Sequence, residues 1–307
     1  MNAKRMIAKI AAAAALLSPV VAMAAMGVST GAESGTYYAV TKDLQRACKG
    51  VVDMNVYESA GSLSNLERIF SDPNVQYGIV QVDALLYKQI SDPQLMARIK
   101  EVLPLYREEL QLVSTTSGPK NLAAFAGKKI VGGTPGSGSL VSLMMLKAKT
   151  GIPFEVVEKT QAEGMDMLAA GQVDGVLVVG GKPFPLLKNL GAFANGRIQL
   201  VPLSDPHLDG FYMKAMIPEG IYAWQKTPVQ TYAVQSIMAT FDYKSPAMQK
   251  DIGSLVTCIK NKLPELQASG HPKWREVDLD DMTRVNWPVH PAALKALGKT
   301  ASPSKSK

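Results

Sequence analysis

The chain has 307 residues, 47% hydrophobic and 19% charged, with a formal net charge of +7. That is enough apolar material for packed cores, and it excludes wholesale disorder; the 25 Gly and 19 Pro are too few for a collagen-like or low-complexity chain. Two Cys, and three His (His207, His271 and His290) without HExxH spacing, exclude a disulfide-dense scaffold and a Cys-based zinc ribbon, and no metal or cofactor is expected. The charge is not a nucleic-acid signal either. Lys4, Arg5 and Lys9 lie in a leader without acidic residues, and Lys299, Lys305 and Lys307 in a polar tail; setting these aside lowers +7 to +1, too little to track phosphate backbones.

Residues 1–24 read as a secretory signal peptide. Lys4, Arg5 and Lys9 form the positive segment, Ile10 to Val21 the apolar run, and Ala22-Met23-Ala24 the cleavage site. The apolar run has 12 residues, whereas a membrane span needs about 20. A mature, periplasmic chain starting at Ala25 is expected, with no direct membrane insertion, and no Cys follows the cleavage site to carry a lipid.

Short strand patterns then alternate with helical ones. Met26-Gly27-Val28 leads into a Gly-rich turn, and Tyr37, Val40, Leu44 and Ala47 recur at helical spacing. Val52, Met54 and Val56 alternate as in a strand. Ser62 caps a helix bearing Leu63, Leu66, Ile69 and Phe70. Tyr77 to Val80 predicts a strand and Val82 to Ile90 a helix. Strand–turn–helix repeats of this kind predict an α/β fold with a parallel sheet. In the second block, Leu110 to Thr115 is extended, Lys129-Ile130-Val131 is a strand, and Leu140, Leu143 and Leu146 mark a helix. Strands follow at Phe154 to Val157, Gly175 to Val179 and Ile198 to Leu203, with a short helix at Gly164 to Ala170. Residues 206–230 read as irregular, Gln230 to Phe241 as one long strand, and Ser245 to Gln267 as a long helix. The arrangement predicts lobe I from residues 25–113 and 206–297, lobe II from 114–205, and a disordered tail at 298–307. The chain crosses between lobes near Leu112 and Val201, which makes a hinge over a ligand cleft.

Two Gly-rich loops between a strand and a helix carry the functional signal. The first is Thr30-Gly31-Ala32-Glu33-Ser34-Gly35-Thr36-Tyr37; the second is Gly133-Thr134-Pro135-Gly136-Ser137-Gly138-Ser139. Neither is a dinucleotide fingerprint, a P-loop or a nucleophile elbow. Each presents free N–H groups and hydroxyls at the positive end of a helix, which suits an anion; a tight turn needing Gly for its φ is the alternative. One loop per lobe facing a shared cleft makes a clamp for a carboxylate. Ser34, Gly35 and Thr36 form one side, and Thr134, Ser137, Gly138 and Ser139 the other. Tyr37, Ser59, Gln81 and Gly181 are lining candidates from neighbouring strand ends. Glu33 repels a carboxylate unless it points away or binds an amino group. Lys182 either pairs with a carboxylate or is solvated. Trp224, Trp274 and Trp287 lie away from these loops, which disfavours a sugar site.

Through those loops, and through Ser59-Ala60-Gly61-Ser62, Gly78-Ile79-Val80-Gln81-Val82-Asp83, Gly171-Gln172-Val173-Asp174-Gly175, Gly180-Gly181-Lys182-Pro183 and Ile217-Pro218-Glu219-Gly220-Ile221-Tyr222, the chain resembles TAXI-type solute receptors. These are the extracytoplasmic binding subunits of TRAP transporters, and the resemblance runs from about residue 26 to 297. It implies a type II periplasmic-binding-protein fold and a non-enzymatic protein. Its partners would be a small anionic or zwitterionic solute, such as glutamate or a dicarboxylate, and membrane transporter subunits. Two other functions are open from the residues: a periplasmic ligand-sensing module, and a Ser-based hydrolase, which lacks a recognisable base. Export also places Cys48 and Cys258 in an oxidising compartment. Cys48 ends the first helix and Cys258 lies on the late helix packed on the same lobe, so a disulfide is expected, with two buried thiols as the alternative.

Overall fold

The computed structural model describes residues 25–190, 194, 196–282 and 284–300. The expected leader and residues 301–307 of the expected tail lie outside the described residues.

The first block runs β1 (Met26–Ser29), α1 (Thr36–Ala47), β2 (Met54–Tyr57), α2 (Ser62–Ser71), β3 (Tyr77–Gln81), α3 (Val82–Ser91) and α4 (Pro93–Met96). β4 (Ile99–Thr115) follows as one strand of 17 residues, roughly 55 Å of extended chain. The second block contains β5 (Lys129–Val131), α5 (Gly138–Thr150), β6 (Glu155–Val157), α6 (Gln161–Ala169), β7 (Gly175–Gly180), α7 (Pro185–Lys188) and β8 (Ile198–Val201). β9 (Met213–Ile217), β10 (Val229–Phe241), α8 (Pro246–Ser269) and α9 (Pro291–Leu297) complete the described chain.

The strands form one curled sheet in the order β2-β1-β3-β10-β4-β7-β5-β6, with β8 on β4 and β9 on β10. β1 pairs parallel with β2 and β3, and β5 with β6 and β7. The middle departs from the expected parallel sheet: β10 runs antiparallel to β3, β4 and β9, and β4 antiparallel to β7 and β8. Consecutive units fold as parallel βαβ crossovers, but the two long strands must return through the sheet and so reverse it.

β4 and β10 serve both lobes. Ile99 to Glu109 of β4 pairs with β10, and Glu109 to Thr115 pairs with β7 or β8. Along β10, Val229–Ala233 pairs with β9, and Ser236–Thr240 with β3. The cores divide accordingly. Val28, Leu44, Leu103, Met238, Ile252 and Ile259 share one cluster of the first lobe, and Leu66, Val80, Leu85 and Ile237 another. Phe125, Ile130, Leu143 and Leu177 pack in the second lobe with Leu208, Tyr212 and Tyr232, while Val131 and Val176 pack with Tyr222 and Trp224. Residues 206–234 therefore pack with the second lobe, and the return crossing lies in β10, not near Val201. The register of β10 against β4 shifts between Gln235 and Ile237. Residues 206–230 carry few sequence signals because their order comes from aromatic side chains docking on the second lobe and from β9, whose pairing partner β10 follows it in the chain.

Cys48 and Cys258 are joined by a disulfide with their Cα atoms 5.9 Å apart, linking the end of α1 to the middle of α8 across 210 positions. It pins the last long helix onto the lobe built from the first residues. A cross-link of this kind stabilises by about 2–5 kcal/mol, chiefly by restricting the unfolded chain. Replacing both residues by Ala is expected to lower urea-unfolding stability by that amount. Equal stability of the double variant and of the unreduced parent would contradict it.

Candidate functional site

A cavity of about 400 Å³ lies between the lobes, at the ends of β1, β2, β3, β5 and β7. Both Gly-rich loops reach it, because each leaves the carboxyl end of a strand and turns into a helix on the same side of the sheet.

On the first wall, Ser34, Gly35, Thr36 and Tyr37 line the cavity where α1 begins. Gly35 is the N-cap and supplies no side-chain cap, so first-turn N–H groups of α1 have no intrahelical acceptor. The Thr36 hydroxyl is buried and has no hydrogen-bond partner among the described residues. Buried Asn65 holds this wall together. Its amide donates to the carbonyls of Thr30 (2.5 Å) and Ile79 (2.7 Å), and its Oδ1 accepts from the hydroxyls of Ser29 (2.7 Å) and Ser59 (2.6 Å). One side chain thereby ties the ends of β1, β2 and β3. Ser59 lines the cavity, but its hydroxyl is spent inside the loop, also accepting from Gly61 N–H at 2.9 Å. Glu33 points away: its carboxylate accepts from the Tyr38 hydroxyl at 3.2 Å and does not line the cavity.

On the second wall, Thr134, Ser137, Gly138 and Ser139 line the cavity where α5 begins. Ser137 is the N-cap, its Oγ accepting from Leu140 N–H at 3.2 Å. Ser139 Oγ accepts from Val179 N–H at 3.0 Å and so fastens α5 to β7. Both hydroxyls accept in structural bonds but keep an O–H each, so this wall offers those two O–H groups together with the backbone N–H groups of Gly138 and Ser139. Gly181 lies just off the cavity, against the Lys273 side chain and the Thr36 methyl group, and Gly180 lines it instead.

The walls touch beside the cavity. Leu63 N–H and Ser64 N–H, at the start of α2, donate to the Gly136 carbonyl at 3.0 and 3.1 Å. The positive end of α2 is thus closed by the opposite lobe. The fit requires Gly136: its φ is +89°, and a Cβ there would stand 2.3 Å from Ser64 Oγ. Gly138 is equally tight, since a Cβ would stand 2.0 Å from Gln81 Oε1. Asp83 adds a second bridge, accepting from the hydroxyls of Ser142 at 2.6 Å and Tyr212 at 2.8 Å.

The floor is acidic. Gln81 Nε2 donates to Glu108 Oε2 at 2.9 Å, and both residues line the cavity. Glu108 carries no ion pair, and its Oε1 and Gln81 Oε1 are buried without partners. Burial pushes the Glu108 carboxyl up to about 8, against the lowering effect of the Tyr37 hydroxyl and Gln81. Burial likewise raises Asp83 to about 6 and Glu101, on the lower part of β4, to about 8. Neighbouring Glu109 is treated differently: it pairs with Lys182 at 2.7 Å and with buried Lys273 at 3.0 Å. Lys182 is therefore bound to an internal carboxylate.

Sequence reasoning missed Glu108 and the second-lobe residues Thr160, Gln161, Phe184 and Leu186 at the cavity, and Asn65 behind its first wall. A Glu-Glu pair in a strand carried a signal, since alternation sends one carboxylate to each face of the sheet. Among the described residues no group of His, Cys, Asp and Glu could hold a metal ion, and no helix is long and apolar enough to cross a membrane.

The model of the NMT1-like family matches residues 28–298. No curated protein matches the chain. Among solved structures, an ancestral arginine-binding protein bound to arginine is 12% identical, with 82% of this chain and 96% of that one covered and a TM-score of 0.51. The substrate-binding protein of an amino acid ABC transporter is 11% identical, with 82% and 96% covered and a TM-score of 0.50. The GluR0 ligand-binding core from Nostoc punctiforme in complex with L-glutamate is 14% identical, with 80% and 98% covered and a TM-score of 0.49. The likeness gives the fold: type II periplasmic-binding-protein, two lobes over a cleft.

The raised carboxyls set a pH dependence. A carboxyl that keeps its proton in the folded state up to about pH 8, but loses it near pH 4.5 when unfolded, makes the protein less stable as pH rises between those values. The melting temperature is expected to fall from pH 5 to pH 8.5, and Glu108→Gln to fall less. An equal fall in parent and variant would show that Glu108 titrates normally.

Proposed function

The chain belongs to the NMT1-like family, and from that premise we propose that it is a periplasmic solute-binding protein. It captures a small carboxylate-bearing solute, an amino acid such as glutamate or a dicarboxylate, between its lobes and delivers it to a TRAP-type membrane transporter. One observation carries the reading. The first turns of α1 and α5, from opposite lobes, line one cavity whose described lining contains no Arg, Lys or His. A carboxylate there is held by backbone N–H groups, the positive helix ends and the Thr36 hydroxyl. The volume admits a solute of amino-acid size or larger. Because the ligand touches both lobes only when they are together, its binding favours closure.

Delivery to a transporter rests on the resemblance to TAXI-type receptors; the two-lobed fold itself serves delivery and sensing alike. A Ser hydrolase finds little support. Ser137 and Ser139 accept from backbone N–H groups, which orients their oxygens toward α5 and β7, and among the described residues no His lines the cavity to act as base.

Thermal-shift screening of amino acids and dicarboxylates is expected to give stabilisation without turnover. Thr36→Val then tests the clamp, because this hydroxyl has no structural partner to lose. A hydrogen bond to a charged group is worth about 1.5–3 kcal/mol, so the variant should bind about 10- to 100-fold more weakly, with Thr36→Ser close to the parent. Unchanged affinity in Thr36→Val would remove the hydroxyl from the site. Ser139→Ala is a poorer test, since it strands the Val179 N–H.

A further inference from the structure

We infer that the floor of the cavity is an ammonium subsite, with Glu108 as its counter-ion, so that the solute is a zwitterionic amino acid and not a dicarboxylate. The inference rests on the proposed solute-binding role and narrows it.

Glu108 is 2% exposed, yet no cation among the described residues pairs with it. The ammonium whose charge acts on it is that of Lys273, which is committed to Glu109 at 3.0 Å, Glu276 at 2.7 Å and the Arg107 carbonyl at 2.7 Å. The other charged or titratable groups facing Glu108 are Asp83 from α3, which repels its charge, and the hydroxyls of Tyr37 from α1 and Tyr106 from β4. A buried carboxylate without a partner is costly, and this one lies at the wall of a cavity, where a ligand can supply what the protein withholds.

With Glu108 ionised, the surplus is of acceptors. Glu108 Oε1 and Gln81 Oε1 are both buried and unpartnered, and the Gln81 amide is fixed by its bond to Glu108 Oε2. A primary ammonium brings three donors and a positive charge, matching this pair. A second ligand carboxylate brings only acceptors and a negative charge, and is met only by the single proton of neutral Glu108. The carboxyl of Glu108, raised by burial to about 8, adds a signature. Near pH 7 the group holds a proton, which must leave when an ammonium binds. A dicarboxylate held by protonated Glu108 releases none.

The test uses the mature protein, the standard L-α-amino acids, and for each the acid in which hydrogen replaces the amino group, as glutarate for glutamate. Calorimetry at pH 7 in buffers of different ionisation enthalpy reads affinity and proton release together. At least one amino acid is expected to bind at least 100-fold more tightly than its deaminated partner, releasing about one proton. Glu108→Gln, checked for folding by its melting transition, should erase that preference while sparing binding of the deaminated acid. Proton release by the parent protein stands as evidence even if the variant does not fold. Deaminated acids or dicarboxylates binding as tightly as amino acids, amino-acid binding without proton release, or an undiminished preference in Glu108→Gln would each overturn the ammonium subsite while leaving a carboxylate site in place. Binding of neither set would overturn the subsite together with the solute-binding reading beneath it.

Discussion

The site depends on the antiparallel pairing of two strands, β4 and β10, that are longer than either lobe requires. Each belongs to both lobes. β4 gives its first part to β10 and its last part to β7 and β8, while β10 gives its start to β9 and its end to β3. A strand shared in this way holds the two parallel βαβ units side by side with their carboxyl ends facing one another. Both Gly-rich loops then meet over one cavity. It also carries Glu108 to the floor of that cavity and Glu109 to the opposite face, where two lysines neutralise it.

Polar groups in the walls fall into two kinds. Some are consumed by the fold: Asn65 ties three strand ends, Ser137 caps α5, Ser139 anchors α5 to β7, and the first N–H groups of α2 close on Gly136. Others are left over, namely the first turns of α1 and α5, the Thr36 hydroxyl, Gln81 Oε1 and Glu108 Oε1. Native proteins satisfy nearly all buried polar groups. Other buried polar atoms lack partners too, among them both carboxylate oxygens of Glu101, but those of Thr36, Gln81 and Glu108 share one cavity, and the proposed solute is one that supplies their partners.

Much of this was legible in the sequence, because the two loops announce themselves locally. Gly and hydroxyl residues between a β-patterned run and a helical run fix both the turn and the exposed N–H groups, whatever the rest of the chain does. The Cys48–Cys258 link followed from compartment and helix placement. What stayed hidden depends on contacts distant in the chain. The reversed strands at the centre follow from where β10 inserts, over a hundred positions after β4. The placement of residues 206–234 follows from Tyr212 and Tyr232 docking on the second lobe. Asn65 and Glu108 look like ordinary polar residues of a helix and a strand until the fold buries them. Asn65 then has partners at every turn, and Glu108 has no counter-ion.

The most direct measurement is a crystal structure of the protein with a solute found by screening. The solute carboxylate is expected between the first turns of α1 and α5, within hydrogen-bond distance of the Thr36 hydroxyl and of the backbone N–H groups of Gly138 or Ser139. A solute without a carboxylate, or one bound outside the cavity between the lobes, would contradict it.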